Sequence, residues 1–167
     1  KLEHHQCRTS EYTGKNGPVV VSGGNEMKNP LYKAFINAGV QAGYSETEDY
    51  NGFRQEGFGQ KFMNVDNGVR ASSSHAYLNK STSRANLTVL KHTLVKRILL
   101  EGKTAVGIEC KTKGKTRIFK ANKETIISAG SIGSPQLLQV SGIGPADVLS
   151  RAGINLLHDL PGVGENL

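Results

Sequence analysis

The sequence predicts a mixed α/β fold with α+β character, and three observations carry that expectation. Between residues 86 and 128 five short β-type runs succeed one another, separated by turn residues. The last run, 125–128, passes through Ala129 and Gly130 straight into a helical pattern. Ahead of them, residues 29–43 carry a helix cap, helical apolar spacing and a glycine stop.

Taken in order, residues 1–17 are polar and turn-rich, with His4 and His5 read as a solvated pair. Val19, Val20 and Val21 form a short strand of β-branched residues within 18–22, broken by Gly23, Gly24 and Asn25. Asn29 caps a helix with Pro30 at its first position. Leu31, Ala34, Phe35, Ala38 and Ala42 make its core-facing side, and Gly43 stops it. Residues 45–70 read as irregular, mixing acids (Glu46, Glu48, Asp49, Glu56) with aromatics (Tyr50, Phe53, Phe58, Phe62). That mixture either lines a site for a cation or anchors a long loop with its acids in water. One or two helical turns follow at 72–78.

The β-type runs are 87–90, 94–100, 105–110, 117–120 and 125–128, an antiparallel meander closed by a strongly apolar strand. Two short helices are predicted next: 135–140, capped by Ser134 with Gly142 behind it, and 145–152, closed by Gly153. A final strand covers 154–158. The pattern changes near residue 80, so the chain divides into 1–80 and 81–167.

Composition narrows the class. Gly supplies 20 of 167 residues, about 12% against roughly 7% on average, without forming a repeat. A hydrophobic share of 37% suffices for a core. No apolar run nears the roughly 20 residues that span a bilayer. Cys7 and Cys110 are too few for a disulfide framework or a metal cluster and read as reduced thiols of a cytoplasmic-type compartment. Of the net charge of +7, residues 80–123 hold twelve Lys/Arg against Glu101 and Glu109. That stretch is the best case for a nucleic-acid-binding module. The cations alternate with apolar residues, however, and Phe119 is its one aromatic, which favours a solvated sheet face.

Chemistry is concentrated at 125–138. A strand that enters a helix through small residues lets backbone approach a ligand and aims N–H groups at an anion. Dinucleotide pyrophosphate is the usual guest there. A large side chain at Ala129, Gly130 or Gly133 would block that approach. The runs Gly142-Ile143-Gly144 and Gly162-Val163-Gly164 lack the third glycine of a dinucleotide fingerprint. His4, His5, His75, His92 and His158 show no zinc spacing, and neither a G-x-S-x-G elbow nor a P-loop is present.

The run 130–144, Gly-Ser-Ile-Gly-Ser-Pro-Gln-Leu-Leu-Gln-Val-Ser-Gly-Ile-Gly, resembles the second signature of the glucose–methanol–choline (GMC) flavoprotein oxidoreductases at fifteen consecutive positions. That signature is a pair of small residues, then S-P-x-L-L, then S-G-x-G. The segments 86–90, 95–99 and 105–109 resemble the meander of the family's flavin domain. Asn29-Pro30-Leu31, Gln41-Ala42-Gly43-Tyr44, 47–52 and 55–59 look most like its choline dehydrogenase branch. The stretch 145–167 also fits, and it closes in the Gly-Pro-rich Leu160-Pro161-Gly162-Val163-Gly164-Glu165-Asn166-Leu167. The chain therefore reads as an internal piece of a longer protein.

The resemblance implies that 81–167 is part of an FAD/NAD(P)-binding, Rossmann-like domain with its β-meander. Residues 1–80 would be part of the substrate-binding domain and its connecting loops. It implies a parent enzyme that oxidises an alcohol, most specifically choline to betaine aldehyde in glycine betaine biosynthesis, handing a hydride to FAD. A sugar, aryl or aliphatic alcohol is the alternative substrate. Cofactor contacts are expected at Val95, whose backbone meets the adenine edge, and at Ala129, Gly130, Ser131 and Gly133. No catalytic residue and no metal ligand is expected within 1–167. The G-x-G-x-x-G cradle and the His with its His/Asn partner are absent from it, so the piece alone should hold FAD weakly and not turn over. The resemblance implies no nucleic-acid partner. It leaves the electron acceptor, and any membrane association of a cytoplasmic parent, undetermined.

Overall fold

The structure is a computed structural model that describes residues 2–23 and 27–167; the expected break at Gly24 and Asn25 lies outside the described residues. The chain divides into two compact units, Lys1–Val89 and Leu90–Leu167.

The first unit is assembled from short pieces. Strand β1 (Glu3–His5) pairs in parallel with β2 (Val19–Val21). The sequence did not signal β1, because its residues carry no β-type pattern. His5 is also not solvated. It is 9% exposed, its Nδ1 accepts the Arg8 N–H at 3.1 Å, and its ring stands edge-on to Phe62 at 4.7 Å. Phe62 is the hub of this region. Arg8 lies over its ring at 5.5 Å, and the Tyr50 hydroxyl accepts the Phe62 N–H and donates to its carbonyl, each at 3.3 Å.

Helix α1 (Pro30–Gln41) begins as predicted, with Asn29 Oδ1 accepting the Leu31 N–H at 3.0 Å. Its buried side differs from the expectation. Ile36 and Gly39 are buried, whereas Leu31 and Phe35 are 70% and 68% exposed. Lys33, Asn37 and Gln41 form one polar stripe and the rest of the helix is a wide apolar arc, so spacing alone does not single out the buried part of it. Phe58 selects it: a Cβ on Gly39 would lie 2.4 Å from the Phe58 ring. The aromatics Phe58 and Phe62 thus serve as loop anchors, while Phe53 is 91% exposed.

Strands β3 (Val65–Asp66) and β4 (Val69–Arg70) form a hairpin inside the stretch expected to be irregular. Asn67 and Gly68, both at positive φ (47° and 79°), make its turn. An Asn-Gly pair is a strong hairpin signal even when the flanking strands are short. A single wide helical turn covers Ser74–Leu78, where helical turns were expected.

The second unit opens with the meander: β5 (Thr93–Glu101), β6 (Thr104–Thr112) and β7 (Lys115–Lys120), antiparallel in that order. Its tight turns fall at Gly102 and at Lys113-Gly114, as the sequence predicts. Two expected strands do not form. Residues 87–90 are irregular, and 125–128 take no ladder partner among the described residues. A β-type run becomes a strand only when another strand lies beside it; here the chain pairs with β6 as far as Ala121, whose N–H bonds the Val106 carbonyl at 2.9 Å, and then departs.

Helix α2 (Gly130–Val140) starts earlier than the predicted Pro135, which lies inside it. Proline's fixed φ is helical, and near an N-terminus the bond it forfeits is a single one, to the carbonyl four residues back. Ser134 is therefore not the cap. Its Oγ instead reaches back to accept the Ala129 N–H at 3.0 Å. Gly142 ends the helix at φ +88°, where a Cβ would meet the Asn155 carbonyl oxygen at 2.7 Å. Strand β8 (Ile143–Gly144), helix α3 (Ala146–Arg151) and strand β9 (His158–Asp159) complete the unit, β8 and β9 pairing in parallel. The predicted final strand is thus confined to its last position and the residue after it. Asp159 caps α3 by accepting the Ala146 N–H at 3.1 Å, and Leu149 beneath it is wholly buried.

Candidate functional site

A groove of about 710 Å³ runs between β5, the segment 125–128 and α2. Strand β5 forms one wall because its outer edge is left unpaired by the meander, and α2 forms the other. The expected site residues Val95, Ala129 and Gly133 all line it. Gly130, at φ +91°, occupies the first position of α2, and nothing lies within 4 Å of where its Cβ would be. Ser131 faces a neighbouring cleft of about 440 Å³ with Pro135, Gln139 and Gly164. Four hundred and forty and seven hundred and ten cubic ångströms are thus held apart by α2, and the structure brings three of the five residues into one groove.

Val95 stands at a register irregularity. It pairs with Cys110, and the next paired residue is Arg97 with Glu109, so Lys96 is the extra residue of a bulge. Successive strand residues ordinarily point to opposite faces. The bulge lets both Lys96 and Arg97 reach Glu109, at 3.1 and 2.8 Å. Their hydrogen bonds, Arg97's first and Lys96's second, hold the Glu109 carboxyl below the ordinary glutamate range. Two cations of the basic stretch are therefore paired within the sheet.

The groove lining combines aliphatic residues with the polar Thr93, Lys96, Thr125, Ser128 and Gln136. Its floor and walls are aliphatic at Ile98, Ile127 and Leu137. Among the described residues no side chain caps the first-turn N–H groups of α2, which are of the kind that can meet an anion. The Thr125 hydroxyl on the groove lining is buried without a hydrogen-bond partner among the described residues. Sequence reasoning missed Thr125 and also Ser141, a buried residue whose hydroxyl bonds the Ile98 N–H at 2.8 Å. A threonine amid isoleucines was the legible signal for the first; the second gave none, since its partner lies 43 positions away. Among the described residues no group of His, Cys, Asp and Glu is placed to hold a metal ion. Likewise, no described helix is long and apolar enough to cross a membrane.

Comparison with known proteins places the chain in a family. Residues 3–167 match the GMC oxidoreductase family. The chain is 57% identical over 157 residues to an oxygen-dependent choline dehydrogenase of Photobacterium profundum, covering 93% of this chain and 28% of that protein. It is 48% identical over 167 residues to the mitochondrial choline dehydrogenase of Homo sapiens, covering all of this chain and 28% of that one. Among solved structures, pyridoxine 4-oxidase from Mesorbium loti superposes with a TM-score of 0.86 at 34% identity, over 96% of this chain and 31% of its own. A formate oxidase gives 0.84 at 27% identity, over 99% of this chain and 30% of its own. The chain thus spans about three-tenths of the length of these relatives. With residues 3–167 inside the family match, the chain belongs to the GMC oxidoreductases, a family of FAD-binding enzymes.

Proposed function

We propose that this chain is part of an FAD-dependent alcohol dehydrogenase whose substrate is choline and whose product is betaine aldehyde. The observation that carries the reading is the 57% identity to an oxygen-dependent choline dehydrogenase over 93% of the chain. In this reading the chemistry that FAD would supply when bound is that of a hydride acceptor for the alcohol carbon. The chain's own contribution is binding and orientation. Val95 offers backbone from the bulged edge of β5, while Ala129, Gly130 and Gly133 keep the mouth of α2 free of side chains. The first-turn N–H groups of α2, with that of Ser131 among them, would hold a phosphate of the cofactor. The Thr125 hydroxyl supplies one further polar contact inside an apolar groove. Residues 81–167 accordingly belong to the FAD-binding domain and 1–80 to the substrate-binding side. No residue of 1–167 is assigned to deprotonating the alcohol.

A second reading, oxidation of a different alcohol, is favoured by one fact: a pyridoxine oxidase and a formate oxidase share this fold with TM-scores of 0.86 and 0.84, so the fold does not choose the substrate. The test is anaerobic mixing of the full-length protein with choline and with a panel of sugar, aryl and aliphatic alcohols. Bleaching of the oxidised flavin by choline is the expected result. Bleaching by another alcohol and not by choline would replace the first reading with the second. Repeating the reaction with oxygen and with an artificial acceptor identifies where the electrons go. Fractionation of cells then separates a cytoplasmic parent, the placement suggested by the free thiols Cys7 and Cys110, from one bound at a membrane.

A further inference from the structure

Ser141 stands behind the groove, where it touches no ligand space, and yet it joins the two walls. Its hydroxyl accepts the Ile98 N–H at 2.8 Å and donates to the Leu137 carbonyl at 2.6 Å. Ile98 lines the β5 wall and Leu137 the α2 wall. The bond to Leu137 is the common back-bond of a serine within its own helix. The bond to Ile98 is of another kind, since it crosses from helix to strand and satisfies an N–H on an edge with no ladder partner.

The hydroxyl is also held in place by a stiff backbone. The Ser141 N–H bonds the Leu138 carbonyl at 3.0 Å, closing α2. The next residue, Gly142, turns the chain, and its carbonyl accepts the Leu157 and His158 N–H groups at 2.8 and 3.0 Å. The strand on the other side of the bond is irregular, with register shifts at 95/97 and again at 99/100. Between those shifts β5 is held on β6 by the three pairs Arg97–Glu109, Ile98–Ile108 and Leu99–Gly107, and Ser141 supplies a reference from outside the sheet.

We propose that Ser141 is a positioning residue for the cofactor: through one hydroxyl it sets the separation of the two groove walls and so the affinity for FAD. This rests on the reading that the groove takes part of FAD. Removing the hydroxyl leaves the Ile98 N–H buried and unpaired, a loss that β5 relieves by shifting away from α2.

The experiment uses the full-length protein, stripped of flavin and titrated with FAD, with the thermal midpoint of the apoprotein and the KM for the alcohol measured alongside. Ser141→Ala is expected to raise the FAD dissociation constant by about tenfold with KM unchanged. Ser141→Thr, which keeps the hydroxyl, should stay close to the parent affinity. Leu149→Val, in the same unit but away from the groove, should lower the thermal midpoint and leave FAD affinity alone. Ala129→Leu, which fills the groove mouth, should block FAD directly. If Ser141→Ala is insoluble, Ser141→Cys carries the same expectation of weakened FAD binding. Parent-like affinity in Ser141→Ala while Ala129→Leu fails to bind overturns the positioning role and leaves the groove assignment standing. Parent-like affinity in both removes FAD from the groove, and the proposal goes with it. An equal loss of affinity in Leu149→Val and Ser141→Ala shows general destabilisation and overturns the proposal.

Discussion

The two units hold themselves together by different means. In Leu90–Leu167 the meander grows from hairpins whose turns lie next to the strands they join, at Gly102 and at Lys113-Gly114. In Lys1–Val89 the pieces that meet are far apart in the chain. Phe62 receives His5 and Arg8 from the N-terminus, and Phe58 seats itself on Gly39 of α1. Ser22 and Met63 likewise exchange backbone hydrogen bonds of 2.9 Å across 41 positions. The first arrangement depends on backbone geometry, the second on a few aromatic side chains. Damage to each should therefore come from different kinds of substitution.

The largest effect is expected at the aromatic hub. Phe62→Ala removes a side chain that is 8% exposed and should lower the stability of the first unit by about 3–5 kcal/mol. Amide hydrogen exchange in the full-length protein checks it: protection at 3–8, 19–22 and 62–63 should fall while that of β6 holds. Protection lost equally in both units would break the contrast drawn above.

Next comes a backbone substitution in the meander. At Gly107, φ is +155° and a Cβ would lie 2.2 Å from the Phe119 carbonyl oxygen. Gly107→Val should cost about 3 kcal/mol or more, read as exchange opening in β6 and β7. Unchanged protection there would show that the meander, too, is governed by side-chain packing.

A smaller loss, about 1 kcal/mol, is expected for Asn29→Ala, which removes the cap of α1. Exchange in the first turn of α1 should quicken without disturbing the Phe62 cluster.

The smallest effect concerns Glu109. Because Arg97 and Lys96 lower its pKa in the folded protein, its pairing contributes above the ordinary glutamate value of about 4.3 and is lost as pH falls through the lower folded value. The pair is at the surface, so the slope is shallow. Glu109→Gln should flatten the pH dependence of β5–β6 protection in that acid window; an unaltered profile would show that the bulge, not the ion pair, holds the strand.

Much of the second unit was legible because its signals are local. Gly102 and Gly114 mark their own turns, and Gly142 and Gly153 stop their own helices. The groove lining was legible at Ala129 and Gly133 for the same reason, since small residues between an apolar run and a helix are a local signal. Asn67-Gly68 was an equally local signal, obscured by the acids and aromatics around it. The run 125–128 misled because its composition is that of a strand, whereas the ladder that would make it one depends on other backbone lying alongside. Thr125 and Ser141 show the same limit at the groove: one is conspicuous for the partner its hydroxyl lacks, the other for a partner 43 positions distant.

Residue identity alone was enough for the turns, the caps and the family signature at 130–144, because φ preference and hydrogen bonding to near neighbours are properties of a few consecutive residues. Folding in three dimensions was needed to decide that α1 buries Ile36 and Gly39 and not Leu31 and Phe35, that His5 enters a cluster, and that Val95 meets Ala129 and Gly133 across one groove. Each of those outcomes turns on which distant surface arrives alongside, and burial is a property of the pair of surfaces that meet.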